Sequence, residues 1–93
     1  MTVGVLRLEL AIPESNSLKD KRRAIKSLKD RLSNAFNVSV AEVEELDSWR
    51  RAVVAVALVA NEGRFVQSCL DKIVDHVRRE HRVILVDYEH AMY

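Results

Sequence analysis

The amino-acid sequence predicts an α+β fold, the ferredoxin-like sandwich, in which a four-stranded antiparallel sheet carries two helices on one face. Two observations predict it. Four segments are apolar throughout or at every second residue, and two others have apolar residues at helical spacing. These segments follow one another in the order β-α-β-β-α-β. Because right-handed crossovers place both helices on the same side of a sheet, this order predicts the sandwich, with the first and third strands central.

The first strand and the first helix have the clearest boundaries. Alternating apolar residues predict a half-buried strand over residues 3–12, and Pro13 ends it because proline has no N–H for the ladder. Ser17 stands three residues before Asp20, a capping-box pattern that predicts a helix from Leu18 to about Phe36. The apolar face of the strand carries Leu6, Leu8, Leu10 and Ile12.

The second half of the chain supplies three more strands and a second helix. Apolar and β-branched runs predict strands over residues 37–44, 49–60 and 82–89, with a turn at Asp47 and Ser48. Asn61 is expected to cap the second helix. The apolar stripe of that helix consists of Val66, Leu70, Ile73 and Val77, with Cys69 beside it.

The third strand is apolar on both of its faces, although the helices of this fold cover only one. An apolar uncovered face predicts a second layer, most simply another copy of the chain in a homodimer. The rival interpretation is a small-ligand pocket between subunits. One face carries Val54, Val56 and Leu58, and the candidate interface on the other carries Val53, Ala55, Ala57 and Val59.

Composition indicates a single domain over residues 1–93, with a net charge of only +1. The positive excess is local, since residues 1–36 hold eight Lys and Arg against four Asp and Glu. The single cysteine excludes an internal disulfide. Arg7 and Glu9 interrupt the first apolar run, so neither a signal peptide nor a membrane span is expected, and cytoplasmic localisation is the default.

The first helix collects its cations along one flank, a stripe about 120° wide in helical projection. It is interpreted either as a solvated face or as a surface that contacts RNA phosphates. Asp30 lies inside the stripe and weakens it. Lys21 is also a candidate, but it projects near the centre of the apolar face. Its ammonium is expected either to reach out past the sheet end or to form a charged site beside the loop 13–17. The stripe consists of Lys19, Arg22, Arg23, Lys26 and Lys29.

The patterns that would indicate an enzyme or a cofactor protein are missing from the sequence. His76, His81 and His90 lack metal-ligand spacing, and no glycine-rich phosphate loop occurs. No catalytic residue, metal or cofactor is therefore predicted. The RNA-recognition motif shares this element order and stacks bases on aromatics of its two central strands. Here the first strand has no aromatic residue and the third has only Trp49, at its entry, so base stacking on the sheet is not expected. Contact with RNA is accordingly predicted through the basic helix and without sequence preference.

Three segments, SLKDKRRAIKSL, FNVSVAEV and the D-x-W of Asp47 to Trp49, resemble the YlxP-like family of small bacterial proteins, a domain of unknown function. The resemblance implies a ferredoxin-like fold and a gene neighbourhood beside translation initiation factor two and a ribosome-binding factor. It therefore implies a role in translation or ribosome maturation, and it has no catalytic residues to transfer. Arg50 and Ala55 depart from the family's usual Gln and Gly. The matching motif residues include Ser17, Leu18, Asp20, Asp47 and Trp49.

Two classes of function remain open at this stage. The first is an accessory protein that contacts structured or ribosomal RNA through the basic stripe. The second is a homo-oligomeric protein-interaction or small-molecule-sensing module whose basic helix is only solvated. The local charge excess favours the first class, whereas Asp30 and the near-neutral total charge favour the second.

Overall fold

The computed structural model of residues 1–93 confirms the predicted fold. Its antiparallel sheet has the strand order β2-β3-β1-β4, so the first and third strands are central. Neither helix combines the length and apolar composition that crossing a bilayer requires. The elements are β1 (Thr2–Ala11), α1 (Leu18–Ala35), β2 (Ser39–Glu44), β3 (Arg51–Ala60), α2 (Gly63–Arg78) and β4 (Ile84–Met92).

One face of the sheet is covered by both helices and contains the core. The buried residues of β1 and β3 pack against those of α1 and α2 in one hydrophobic cluster of 19 residues. Gly4 lies on this covered face, where a Cβ atom would collide with Val66 of α2, so glycine permits the close approach of helix and strand. The predicted stripe of α2, Val66, Leu70, Ile73 and Val77, is buried in this cluster.

The predicted start of the second helix was wrong by one residue. Asn61 does not cap α2; the N-cap is Glu62, whose side chain makes no capping hydrogen bond. β3 stays paired with β1 as far as Ala60, opposite Thr2, so only two residues connect β3 to the helix. The carbonyl of Glu62 already accepts from Val66 N–H at 3.2 Å, which makes Gly63 the first helical residue.

Three strands begin later than predicted: β2 starts at Ser39 rather than residue 37, and turns occupy the expected first residues of β3 and β4. Ser48 N–H donates to the Glu45 carbonyl, and Ser48 Oγ accepts from Arg51 N–H, so β3 starts at Arg51 rather than Trp49. After α2, Arg79 and Glu80 N–H donate back to helix carbonyls, and β4 starts at Ile84 rather than residue 82. β4 then runs beyond residue 89, since it pairs with β1 as far as Gly4.

Candidate nucleic-acid interface

The start of α1 is capped as the sequence predicts. Ser17 is the N-cap, and its Oγ accepts from Asp20 N–H at 3.0 Å. Asp20 Oδ2 in turn accepts from Asn16 N–H at 3.0 Å, so the second bond goes to the residue before the N-cap rather than to the N-cap N–H of a capping box. The Ser17 bond satisfies a backbone donor that the helix start leaves free, and the Asp20 bond holds the residue before the cap. The carboxylate also lies where the helix dipole favours it. The first turn, which carries Lys19, Lys21 and Arg22, is thereby fixed.

Lys21 is fully buried and hydrogen-bonded to the strand pair β2–β3 and its connecting loop. Its Nζ donates to Glu42 Oε2 at 2.8 Å and to the Glu45 carbonyl at 2.7 Å. Two further carbonyl oxygens, of Leu46 and Arg51, lie 3.3 Å away. Glu45 has a φ of 62°, the left-handed region, and it is the only non-glycine residue with a positive φ. The charge of this buried ammonium is therefore paired with one carboxylate and solvated by three carbonyl oxygens inside the protein.

The expectation that Lys21 reaches out to solvent was therefore wrong. Its side chain is 0% exposed, because the loop between β2 and β3 folds over the first turn of α1 and encloses it. The alternative, a charged site, agrees with the buried ammonium, but its partners belong to residues 42–51 rather than to the loop 13–17. Lys21 cannot contact a phosphate without unfolding this end, so it leaves the set of candidate RNA contacts.

The outer side of α1 carries the basic stripe, and all five of its members are exposed. Lys26 Nζ donates to Asp30 Oδ2 at 2.8 Å, and this hydrogen bond raises the pKa of the lysine above its ordinary value. No carboxylate lies within ion-pair distance of the other four. These unpaired cations are Lys19, Arg22, Arg23 and Lys29.

A second segment brings another cation beside the stripe. Arg82, in the connection between α2 and β4, lines an open cleft of about 250 Å³ together with Arg23 of α1. Glu14 and Asp20 line the same cleft, so its charges balance. Sequence reasoning missed Arg82, and no local signal could have found it, because the fold brings it to α1 from 59 positions further along the chain.

The loop between β2 and β3, residues 45–50, is the other motif-bearing part of this end. Arg50 Nε donates to the Ser15 carbonyl at 2.8 Å, and its Nη2 donates to Asn16 Oδ1 at 3.2 Å. With the bonds of Lys21, these contacts hold the loop against the start of α1. Trp49 is 54% exposed and its indole N–H makes no hydrogen bond to the protein. Asp47 is exposed as well.

The candidate oligomer interface lies on the face of the sheet that no helix covers, here called the open face. Val59 is 60% exposed there, whereas Val53 is only 5% exposed. Val53 lies beside a cluster in which Arg7 contacts Glu44 at 2.6 Å, Glu9 at 3.0 Å and Glu89 at 3.6 Å. Hydrogen bonds to Glu44 and Glu9 raise the pKa of Arg7. The open face is thus apolar toward the end of β3 and charged in its middle.

The remaining chemically versatile side chains are scattered. His76 meets Phe36 edge-on, with ring centroids 6.1 Å apart, and its Nδ1 is 3.7 Å from Glu80 Oε1. Cys69 is half-buried against the core. No three His, Cys, Asp or Glu side chains are grouped so that they could hold a metal ion.

Fold and surface together define a small ferredoxin-like protein with a basic, capped first helix. Residues 3–90 match the family described as "Protein of unknown function (DUF503)", and the chain belongs to that family. The chain is 36% identical over 72 residues to the "Uncharacterized protein YlxP" of Bacillus subtilis (strain 168). That match covers 77% of this chain and 78% of the Bacillus protein. The family predicted from the sequence motifs is confirmed.

Proposed function

We propose that this chain is a non-enzymatic accessory protein that contacts structured RNA, ribosomal RNA in particular, through the basic stripe of α1. Its site of action is then the cytoplasm, where RNA is translated. The observation that carries the proposal is the contrast in charge pairing on α1. The charge of Lys21 is paired with the Glu42 carboxylate inside the protein. In contrast, no carboxylate lies within ion-pair distance of Lys19, Arg22, Arg23 and Lys29. Cations on one side of a rigid helix are what contact with a phosphate backbone requires.

The stripe is suited to phosphates rather than to base edges. Lys and Arg side chains on an exposed helix surface contact phosphate oxygens, which fix register but carry no sequence information. Every stripe residue lies on α1, which is capped at its N-terminus and packed on the sheet along its inner side. The gene neighbourhood that the family resemblance implies supports RNA of the translation apparatus as the partner.

The proposal is tested by measuring the affinity for a ribosomal RNA fragment over a series of salt concentrations. Wild type is compared with Arg22→Glu/Lys26→Glu, and the control is Arg64→Glu/Lys72→Glu, which makes the same charge change on exposed residues of α2. Each lost phosphate contact lowers the log–log salt slope by about 0.7 to 0.9, so the α1 variant is expected to lose at least the contact of Arg22, because Lys26 is already paired with Asp30. The control is expected to keep the wild-type slope. Equal effects of the two variants would overturn the proposal.

A second candidate function, self-association through the open face, is favoured by the exposed apolar end of that face. Val59 is 60% exposed and Tyr93 is 77% exposed. Ala57, which pairs with Val5, lies between these two residues and the Arg7 cluster. A second copy seated there would cover apolar surface that a monomer leaves in water. The Arg7 cluster has one cation and three carboxylates, so burying it would be costly. The dimer contact is therefore proposed at the apolar end only.

Sedimentation equilibrium at micromolar concentration tests the second candidate. A dimer is expected, and Val59→Asp is expected to shift it to monomer. The control is Val43→Asp, because Val43 is an exposed apolar residue of β2. A monomeric wild type would remove the candidate. An apolar or amino-acid-sized molecule that copurifies and is released by Val59→Asp would favour the sensing module instead.

A further inference from the structure

The geometry points to Trp49 as a stacking surface for an unpaired RNA base beside the phosphate-binding stripe, an inference that rests on the proposed function. Most large aromatic side chains are buried in a folded protein, and the N–H of a buried tryptophan usually donates to a hydrogen-bond acceptor. Trp49 is 54% exposed and its N–H has no partner in the protein. The loop that carries it is held by other residues, so the indole contributes little to the shape of the loop.

Hydrogen bonds in two directions, from α1 to the loop and from the loop to the residues before α1, fix the loop at the N-terminal end of the helix. Lys21 of α1 donates to the carbonyls of Glu45 and Leu46, and Arg50 donates to Ser15 and Asn16, which lead into the helix. The residue next to Trp49 thus touches the segment that precedes Lys19. The loop that carries the exposed indole is therefore held against the start of α1 by three partly buried hydrogen bonds and one exposed hydrogen bond.

This pairing of an aromatic face with nearby cations is the arrangement that single-stranded nucleic acid requires. Bases stack on the aromatic ring while the cations contact the phosphates between them, and stacking tolerates any base because every base has a π-face. Glu45 and Asp47 are exposed in the same loop and repel phosphate. The backbone is therefore inferred to run on the α1 side of the indole, over Lys19 and Arg22.

The chain offers a direct probe, because Trp49 is its only tryptophan. Indole emission, excited where tyrosine does not absorb, is followed while a uridine homopolymer of about a dozen nucleotides is added at low salt. A long blunt-ended RNA duplex is the comparison ligand. The homopolymer is expected to quench the emission to a saturating level, and the duplex is expected to bind with little change in emission.

Variants then separate stacking from charge. Trp49→Ala is expected to weaken homopolymer binding about tenfold and to leave duplex binding unchanged, whereas Trp49→Phe retains most of the affinity. Phe65→Ala is the matched control, since Phe65 is 58% exposed but lies at the start of α2. Three results would overturn the stacking inference while leaving RNA contact intact. Trp49→Ala could weaken binding of both ligands equally, or Phe65→Ala could weaken homopolymer binding as much as Trp49→Ala does. The third is tight binding of the homopolymer without a change in indole emission. If wild type binds neither ligand at low salt, the proposed function fails as well.

Discussion

The inner and outer sides of α1 carry the same kind of residue in opposite surroundings. On the inner side the ammonium of Lys21 is fully buried and donates to one carboxylate and to backbone carbonyls. On the outer side Lys19, Arg22, Arg23 and Lys29 are exposed and have no carboxylate partner. The contrast teaches that the number of cations in a helix does not identify a binding surface. The partners already provided by the protein decide which cations remain available.

The comparison also assigns different roles to the two sides. A buried charge that keeps its partners fixes the position of the segments it joins, and here it joins α1 to residues 42–51. An exposed cation without a partner contributes little to folding stability. Substitutions on the inner side should therefore change the free energy of unfolding, and substitutions on the outer side should change RNA binding.

The largest effect is expected from Lys21→Met. The substitution keeps much of the side-chain volume but leaves the Glu42 carboxylate and three carbonyls without their donor. Removing one partner of a buried pair costs about 3 kcal/mol, which is a large share of the stability of a small domain. Urea unfolding measures the loss. Lys26→Met, on the exposed side, is expected to stay within about 0.5 kcal/mol of wild type.

A companion variant sharpens this result. Glu42→Gln removes the carboxylate that Lys21→Met would leave unpaired, so the double variant is expected to be less destabilised than the sum of the two single variants. Strict additivity would show that the two side chains act independently in the folded protein. If Lys21→Met were no more destabilising than Lys26→Met, the structural role of Lys21 would be refuted.

An intermediate effect is expected from Ser17→Ala. The serine Oγ accepts from Asp20 N–H, and loss of an N-cap costs about 1 kcal/mol. Because the stripe remains exposed, the salt dependence of RNA binding should stay as in wild type under conditions where the variant is folded. Unfolding and RNA titration of the same preparation measure both quantities. A changed salt slope with unchanged stability would contradict the separation of the two sides.

The sequence was sufficient for the parts of this molecule that local patterns determine. Alternation predicted the buried residues of β1, and the spacing of Ser17 and Asp20 predicted the cap of α1. It was also sufficient to place Lys21 on the apolar side of the helix. It could not show that a loop more than twenty residues away would enclose the ammonium, because those carbonyls become partners only when the chain folds. The same holds for Arg82, which no pattern near α1 announces.

The smallest effect is expected from Asp30→Asn. The substitution removes the carboxylate bonded to Lys26, whose raised pKa reflects that bond, and it returns the lysine to the set of unpaired cations. An exposed i,i+4 pair contributes only a few tenths of a kcal/mol, so stability should change little. RNA affinity at low salt should rise, and the log–log salt slope should steepen by up to about 0.7 to 0.9. An affinity and a salt slope equal to those of wild type would show that Lys26 lies outside the contact.

Co-sedimentation with purified ribosomal subunits over a salt series tests the central claim, that the outer side of α1 is the functional surface. Three folded proteins are compared: wild type, Arg22→Glu/Lys26→Glu and the α2 control Arg64→Glu/Lys72→Glu. Wild type and the control are expected to sediment with the subunits at low salt and to dissociate as salt rises, while the α1 variant stays in the supernatant. If the α1 variant sediments like wild type, or if wild type does not sediment at low salt, the claim is contradicted.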